Sequence, residues 1–361
     1  MTSEYVIFIL THGRPKNVKT VNALKNFGYT GKFYLILDNE DKTREQYETI
    51  YGKDRIIVFN KKEMADQIDN GNNFNDRRAT VHARNACFGI AKDLGYEYFI
   101  LFEDDYTEFQ YRYLNKDKTK LKLISVRNLD RILELHLEFF KSANFLSVAM
   151  AQGGDMIGGA RNPKAIHRPM MRKCMNSFIC STKRPFRFIG QFNDDVNTYV
   201  MLGMRGGLFA TIPMVMLHQL PTQKVASGMT DVYLRYGTYC KSFTTVMMQP
   251  SSVKVTMMNS QNPRLHHSIK WINTVPVILD ESHKRPYRAV FLTPSIDPAI
   301  NKVYGESKPG PIFMPKGESG KAIWARCKQT EAERLECIRR GAEEIGVEQP
   351  KTTPCLNKES K

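Results

Sequence analysis

The residues best suited to chemistry are acidic and fall in two groups. Glu103-Asp104-Asp105 follows the apolar run Tyr98–Phe102, and Asp194-Asp195 stands in a stretch otherwise stripped of acids. Three adjacent carboxylates repel one another unless a cation or a long basic side chain neutralises them. A hard divalent ion meets that need, because Mg²⁺ and Mn²⁺ prefer oxygen ligands and can bridge carboxylates to a diphosphate. An acidic turn in open solvent would have the same composition, but delivery by a buried strand favours the metal. In the second group, a carboxylate in a basic neighbourhood stays ionised at neutral pH, as a general base must. The same pair would suit the first turn of a helix capped by Asn193, where the dipole favours acids. His218 ends the apolar run Ile212–Leu217. A lone histidine there serves structure more often than it binds a ligand.

The elements that must position these groups alternate in type. Tyr5–Leu10 reads as a strand, followed by the breaker Thr11-His12-Gly13-Arg14-Pro15 and a helix over Asn17–Asn26 with Val18, Val21 and Leu24 on one face. Lys32–Leu37 and Arg55–Phe59 read as strands, Thr80–Asp93 as a helix ending near Gly95, and Tyr98–Phe102 as a buried strand. This alternation predicts a mostly parallel α/β sheet covered on both faces, with ligands at the carboxyl ends of its strands. Thr11, Asp38 and Glu103 would all lie there. Further on, Leu121–Phe140 reads as an amphipathic helix, Phe145–Ala151 as a strand, Phe192–Met204 as a helix and Gly207–Leu217 as a strand. Beyond about residue 280 the chain is Pro- and Lys-rich, with one helical stretch, Thr330–Ala342, and an end that reads as frayed.

Charge is unevenly placed. The chain of 361 residues carries Lys+Arg 53 against Asp+Glu 37, and Met156–Leu279 holds 15 Lys/Arg but three acids. Between Asp155 and Asp194 there is no acid, while Arg161, Lys164, Arg168, Arg172, Lys173, Lys183, Arg184 and Arg187 follow one another. Such a stretch is either a solvated basic surface or one that meets a polyanion and releases its counterions. Two further features carry double readings. Gly153-Gly154 and Gly158-Gly159 suit ordinary turns or a lid over a bound diphosphate. Tyr233–Tyr239 interleaves aromatic and basic residues, as a base-stacking surface or a strand with one buried face would. The seven cysteines are odd in number and show no metal-ligand spacing, which fits a reducing cytoplasm. No apolar run approaches the roughly 18 residues of a spanning helix, and Tyr5–Leu10 lacks the flank and cleavage site of a signal peptide.

Strand then Asp38, Ala83-Arg84-Asn85-Ala86, strand then Glu103-Asp104-Asp105, Asp194-Asp195, and strand then His218 occur in an order that resembles the inverting GT-A glycosyltransferases, over residues 5–220. More narrowly, Thr11-x-x-Arg14-Pro15, Arg84-Asn85 and the turn Gln152-Gly153-Gly154 are similar to the TET-associated and base J-type DNA glycosyltransferases, which resemble bacteriophage enzymes acting on hydroxymethylated pyrimidines. The resemblance implies a GT-A-like domain over residues 1–280, with a nucleotide-sugar half at 1–110, an acceptor half at 145–280 and a small extension at 281–361. It implies donor contacts from Thr11, Arg14, Asp38, Arg84, Asn85 and Asp104, with Asp38 on the nucleotide base. Glu103, Asp105 and His218 would hold Mn²⁺ or Mg²⁺, His266-His267 being the competing pair. The first acid of the triplet is Glu rather than Asp, so Asp105 is the stronger ligand. Asp195 would be the catalytic base, with Asp194 beside it. The implied reaction moves a sugar from a UDP-linked donor to a 5-hydroxymethylpyrimidine, such as 5-hydroxymethylcytosine, in double-stranded DNA. The basic run would hold the phosphates, in the cytoplasm of an infected host. Two rivals are a transferase acting on an anionic polysaccharide or lipid head group, and an inactive nucleic-acid-binding protein that keeps the fold. The joint presence of Asp38, Glu103, Asp105 and Asp195 argues against lost activity.

Overall fold

The computed structural model describes residues 4–70, 76–115, 119–152, 170–219, 229–237, 239–258 and 263–276. Strand β1 (Tyr5–Leu10) is buried along its whole length. Its β-branched and aromatic residues suit a pleated strand, and its unbroken apolar run suits one covered on both faces. It lies between β2 (Phe33–Asp38) and β4 (Tyr98–Glu103), both parallel to it, and β3 (Ile56–Phe59) extends the parallel set beyond β2. Helices α1 (Lys19–Asn26), α2 (Arg44–Tyr51), α3 (Lys61–Asp66) and α4 (Thr80–Asp93) occupy the connections.

After β4 the chain reverses at Asp104-Asp105 into β5 (Tyr106–Leu114), which pairs with β6 (Leu121–Ser125). Helix α5 (Leu129–Ser142) leads into β7 (Ser147–Ala151), and then come β8 (Phe178–Ser181), α6 (Asp194–Met204) and β9 (Phe209–Gln219). Helices α7 (Met229–Tyr236) and α8 (Tyr239–Met248) precede an antiparallel hairpin, β10 (Val253–Met258) and β11 (Arg264–Ile269).

The nine-stranded sheet has the order β3-β2-β1-β4-β8-β7-β9-β5-β6. Its β4–β8, β8–β7, β9–β5 and β5–β6 pairs are antiparallel and its β7–β9 pair parallel, so every strand except β5 and β8 points the same way. One edge therefore collects the carboxyl ends of β1, β2, β4, β7 and β9, with Thr11, Asp38, Glu103, Gln152 and Gln219. The two reversed strands begin at that edge, adding Tyr106 and the approach to β8 at Asn176. The fold is thus α/β, a mixed sheet flanked by helices.

Strand alternation divides the core. Ile7, Ile9, Leu35, Leu37, Ile100 and Phe102 face one side, where α1 and α5 cover them. Val6, Phe8, Ile36, Phe99 and Leu101 face the other, beneath α4 and α6. Each large apolar side chain so buried contributes about 1.5–3 kcal/mol. No helix among the described residues is long and apolar enough to cross a membrane.

Three stretches differ from the sequence expectation. Leu121–Phe140 is not one helix: β6 pairs with β5, the chain breaks at Val126–Asn128, and Asn128 caps α5 by accepting from the Arg131 amide. The helical spacing belongs to Leu129, Ile132, Leu133, Leu137 and Phe140. Tyr233–Tyr239 is neither a strand nor continuous, because Gly237 at φ +85° parts α7 from α8. Asn193 does precede a helix, but it sits at φ 53° without a side-chain capping bond. The expected helix at 330–342, all of 281–361, and the Gly153-Gly154 and Gly158-Gly159 pairs lie outside the described residues.

Close approach of backbones fixes α6, the helix that carries Asp194 and Asp195. A Cβ at Gly203 would come 2.1 Å from the Thr274 carbonyl oxygen. Gly203→Ala is therefore expected to destabilise the fold by about 1–3 kcal/mol, the usual range for overpacking. Urea unfolding should show a lower midpoint at an unchanged slope. An unchanged midpoint would mean that the segment at Thr274 yields freely.

Candidate active site

A cavity of about 440 Å³ opens at the strand-end edge, a volume typical of small-molecule sites. At its β1–β2 end the Thr11 hydroxyl donates to Asp104 Oδ2 (2.7 Å) and lies 2.8 Å from the Tyr47 hydroxyl, which accepts from the Arg14 amide (2.9 Å). Arg14 Nη2 stands 3.3 Å from Asp104 Oδ1. Asp38 ends β2 with Oδ2 facing His12 Nδ1 (2.7 Å) and the buried Lys61 Nζ (3.4 Å), while Oδ1 accepts from the Glu40 amide. Burial pushes Asp38 up, yet the His12 bond, Lys61 and the Glu40 amide together hold it below the usual carboxylate range. The same bond to Asp38 raises His12, against its burial. The breaker works through Gly13, whose φ of +68° aims its amide at Asp41 Oδ2 (2.8 Å).

The middle of the cavity is a buried charge network centred on Arg84, which is 3% exposed. Its Nη2 donates to Glu103 Oε1 and its Nη1 to Asp194 Oδ2, both at 2.7 Å. Gln219 Nε2 donates to the second Glu103 oxygen at 2.7 Å, and Gln219 Oε1 accepts from the Asn176 and Gln152 side-chain amides. Burial drives these acids upward against the pull of Arg84: Glu103 to about 8 and Asp194 to about 6. Burial, with Asp104 adjacent, moves Asp105 to about 6 as well. The Asp105 Oδ1 atom is buried and finds no hydrogen-bond partner.

Asp195 is half-buried and faces the cavity, its Oδ1 accepting from the Val196 amide at 2.7 Å. The left-handed Asn193 beside it turns its amide nitrogen outward, 2.8 Å from the Lys241 carbonyl oxygen, 3.0 Å from Thr245 Oγ1 and 3.2 Å from His267 Nδ1. This ties the start of α6 to α8 and β11. Tyr233, Lys241, Arg264, His266 and His267 complete that wall. Burial, then Asp195 and Asp194, raise the Tyr233 hydroxyl above its ordinary value.

Of the residues singled out from sequence, Thr11, Arg14, Asp38, Arg84, Glu103, Asp104, Asp105, Asp194, Asp195 and Lys173 line this one cavity. Several do something other than expected. Asn85 is no donor contact, since its side chain is spent on both backbone groups of Phe188. Arg84 is engaged by two acids. Glu103 has both oxygens occupied and Asp104 is held by Thr11 and Arg14, which leaves Asp105 Oδ1 as the triplet oxygen without a hydrogen-bond partner. His218 is not in the cavity: its Nε2 bonds Gln110 Oε1 at 2.8 Å, and the next residue, Gln219, faces the site instead. The basic run is not one surface either. Strand β8 carries the chain to the opposite edge, where Lys183 pairs with Glu97 (2.6 Å) and Arg184 binds Asn144 and Phe145. Arg187 holds the Gln67 carbonyl, and Arg172 is half-buried away from the cavity lining. Arg161, Lys164 and Arg168 lie outside the described residues. His12, Lys61, Gln219, Asn176, Lys241 and Arg264 were not anticipated. His12 had a signal in sitting between Thr11 and Arg14 in the breaker that follows β1, and Lys241 and Arg264 had one in the excess of basic residues over Met156–Leu279.

The cavity joins a held acid on β2, an acid turn after β4 and an open carboxylate at a helix start, which is a set able to bind a nucleotide diphosphate and deprotonate an alcohol. No curated protein sequence matches the chain. Among solved structures, glucosyl-3-phosphoglycerate synthase from Mycobacterium tuberculosis with Mn²⁺, uridine diphosphate and phosphoglyceric acid aligns at 9% identity and TM-score 0.38, over 76% of this chain and 88% of the other. The same synthase with Mn²⁺, UDP-glucose and glycerol 3-phosphate aligns at 10% identity and TM-score 0.39, over 72% and 85%. The sequence profile of the TET-Associated Glycosyltransferase family matches residues 5–228, which span every strand of the large sheet and all the acids of the cavity. On that match the chain belongs to the TET-associated glycosyltransferase family.

Proposed function

We propose that this glycosyltransferase moves a sugar from a UDP-linked donor to the 5-hydroxymethyl group of a pyrimidine in double-stranded DNA, inverting the anomeric carbon. The observation that carries the reading is the division of labour between Asp194 and Asp195. Arg84 and Thr80 hold Asp194, whereas Asp195 presents its carboxylate to the cavity. Family membership supports the DNA acceptor. Asp38, an acceptor beside the donors His12 and Lys61, complements uracil, which offers one ring N–H between two carbonyls.

Asp105 fits a hard divalent cation, because its partnerless buried oxygen is the donor type that such ions prefer. Among the described residues no three Asp, Glu, His or Cys side chains group to hold a metal. One carboxylate with diphosphate oxygens and water is a common way of binding Mg²⁺ or Mn²⁺. When bound there, the ion supplies Lewis-acid stabilisation of the leaving diphosphate. Thr11 and Arg14 hold Asp104 in place, and Arg14, which lines the cavity, would offer its charge to the donor diphosphate. Asp195 takes the proton of the acceptor hydroxyl as oxygen bonds to the anomeric carbon from the face opposite the diphosphate. The 5-substituent reaches the site from the major groove, where it projects, or on a flipped base.

The test is purified protein with UDP-sugars and hydroxymethylated DNA, read by mass of the digested nucleosides. Transfer should need Mn²⁺ or Mg²⁺, stop with excess chelator, and be lost in Asp105→Asn. Full turnover in chelator would remove the metal from the reading. Donor hydrolysis without any modified nucleoside would remove the DNA acceptor.

A further inference from the structure

The wall across from the donor corner is cationic and belongs to elements that the donor reading leaves unused. Lys241 on α8 and Arg264 on β11 both line the cavity, and neither has a carboxylate within 4.0 Å among the described residues. From Val232 to Leu279 the sequence carries five Lys/Arg and no acid. Crowding registers on Lys241: burial first, then Arg264, lower its proton affinity, while Asp195 alone among the acids pulls the other way. Around Lys241, Arg264 and Lys173 outnumber the one acid that acts on it, Asp195, and such an excess of like charge is unfavourable until a further anion offsets it. A second observation points to a ligand in the same place. His267 is 5% exposed, lines the cavity, and has an Nε2 with no hydrogen-bond partner. Burial keeps both His266 and His267 neutral, so each can present a ring N–H without adding charge.

Position decides which anion belongs there. The donor is received by β1, β2 and the β4 turn, through Asp38 and Asp105. Lys241 and Arg264 lie near Asp195, on the elements that Asn193 fastens to the start of α6. We infer that Lys241, Arg264 and His267 form an acceptor-side phosphoryl subsite, which takes a backbone phosphodiester flanking the hydroxyl presented to Asp195. This rests on the DNA-acceptor reading above, and of the described part of the basic run at 161–187 it keeps Lys173, which lines the same cavity. The subsite is a positioning device. It fixes the register of the strand so that the hydroxymethyl group meets the carboxylate, in the way phosphate contacts orient proteins on a duplex.

The experiment compares the full-length wild type with Lys241→Gln, Arg264→Gln and the double variant, using an unmodified 20-mer duplex and, separately, UDP as probes. Wild type should bind the duplex with a steep salt dependence, and each lost contact should flatten the log–log slope by about 0.9. The double variant should raise the acceptor KM far more than it changes kcat, whereas Lys241→Arg, which keeps the charge, should leave it near wild type. A melting curve identifies any variant that has unfolded, for which Lys241→Arg and Arg264→Lys provide the folded comparison. If the variants lose UDP affinity as much as duplex affinity, the anion is the donor diphosphate and the inference is overturned. Unchanged duplex binding and KM in the double variant would overturn it while leaving the DNA acceptor standing. No salt-dependent duplex binding by wild type would sink the DNA acceptor and the subsite together.

Discussion

Replacing Asp195 by Asn should lower kcat for transfer by about 10²–10⁴-fold, the usual cost of removing a general base. The amide keeps the shape of the side chain and can still meet the Val196 amide through its oxygen, so the start of α6 should be undisturbed. What it loses is the site for the proton of the attacking hydroxyl. Donor binding and melting temperature should therefore stay close to wild type. Asp194→Asn should behave differently. Its carboxylate is buried against Arg84 and Thr80, so the amide disturbs a charge network, and the first readout to move should be stability. Steady-state kinetics with saturating donor, alongside melting curves for both variants, separate the two. Near-normal kcat in Asp195→Asn with a folded but dead Asp194→Asn would exchange the roles. Activity in both would place the base elsewhere.

How much of this was readable from sequence depended on whether a residue acts through its backbone position or through its partners. Asp38 and Glu103 follow unbroken apolar strands, and a parallel sheet puts such residues on one edge whatever else the chain does. That the first strands run parallel was accordingly legible, while their order β3-β2-β1-β4 was not. Beyond Asp105 the chain reverses, and β5 and β6 cross to the far edge, where the spacing of Leu121 to Phe140 blends a strand with a helix. Strand period explains His218: adjacent side chains on β9 point to opposite faces, so the step to Gln219 changes the residue that faces Glu103. Arg84 and Asn85 look alike in sequence as polar helix residues. Only the fold shows that one bridges two acids and the other clasps the Phe188 backbone. The basic run misled for a topological reason, since β8 carries Lys183 and Arg184 away from the edge at which it begins.

Arg84 is the residue whose loss should cost the fold most. It is fully enclosed, and it donates to Glu103 and Asp194 at 2.7 Å each, with its guanidinium 5.1 Å from the Phe178 ring and 5.5 Å from that of Phe188. Arg84→Met leaves two acids without their cation in a buried site. Breaking a buried ion pair by removing one partner costs about 3–5 kcal/mol, a large share of the roughly 5–15 kcal/mol by which a domain is stable. Lysine should rescue poorly, because a single ammonium cannot reproduce the fork that spans both carboxylates. The mechanism has a pH signature. Glu103 and Asp194 already have raised proton affinities, to about 8 and about 6, so the folded state binds more protons than the unfolded one between about pH 4 and 8. Their contribution is present at low pH and is lost as pH rises through those values. Without Arg84 both acids should rise further, and stability should fall more steeply from pH 5 to 8 than in wild type. Adding Glu103→Gln and Asp194→Asn to Arg84→Met should recover part of the loss and flatten the pH dependence. Urea unfolding at several pH values measures all of this. A loss of stability in Arg84→Met that is independent of pH, and that the added amides do not relieve, would mean Arg84 matters for its packing on Phe178 and Phe188 and not for its charge.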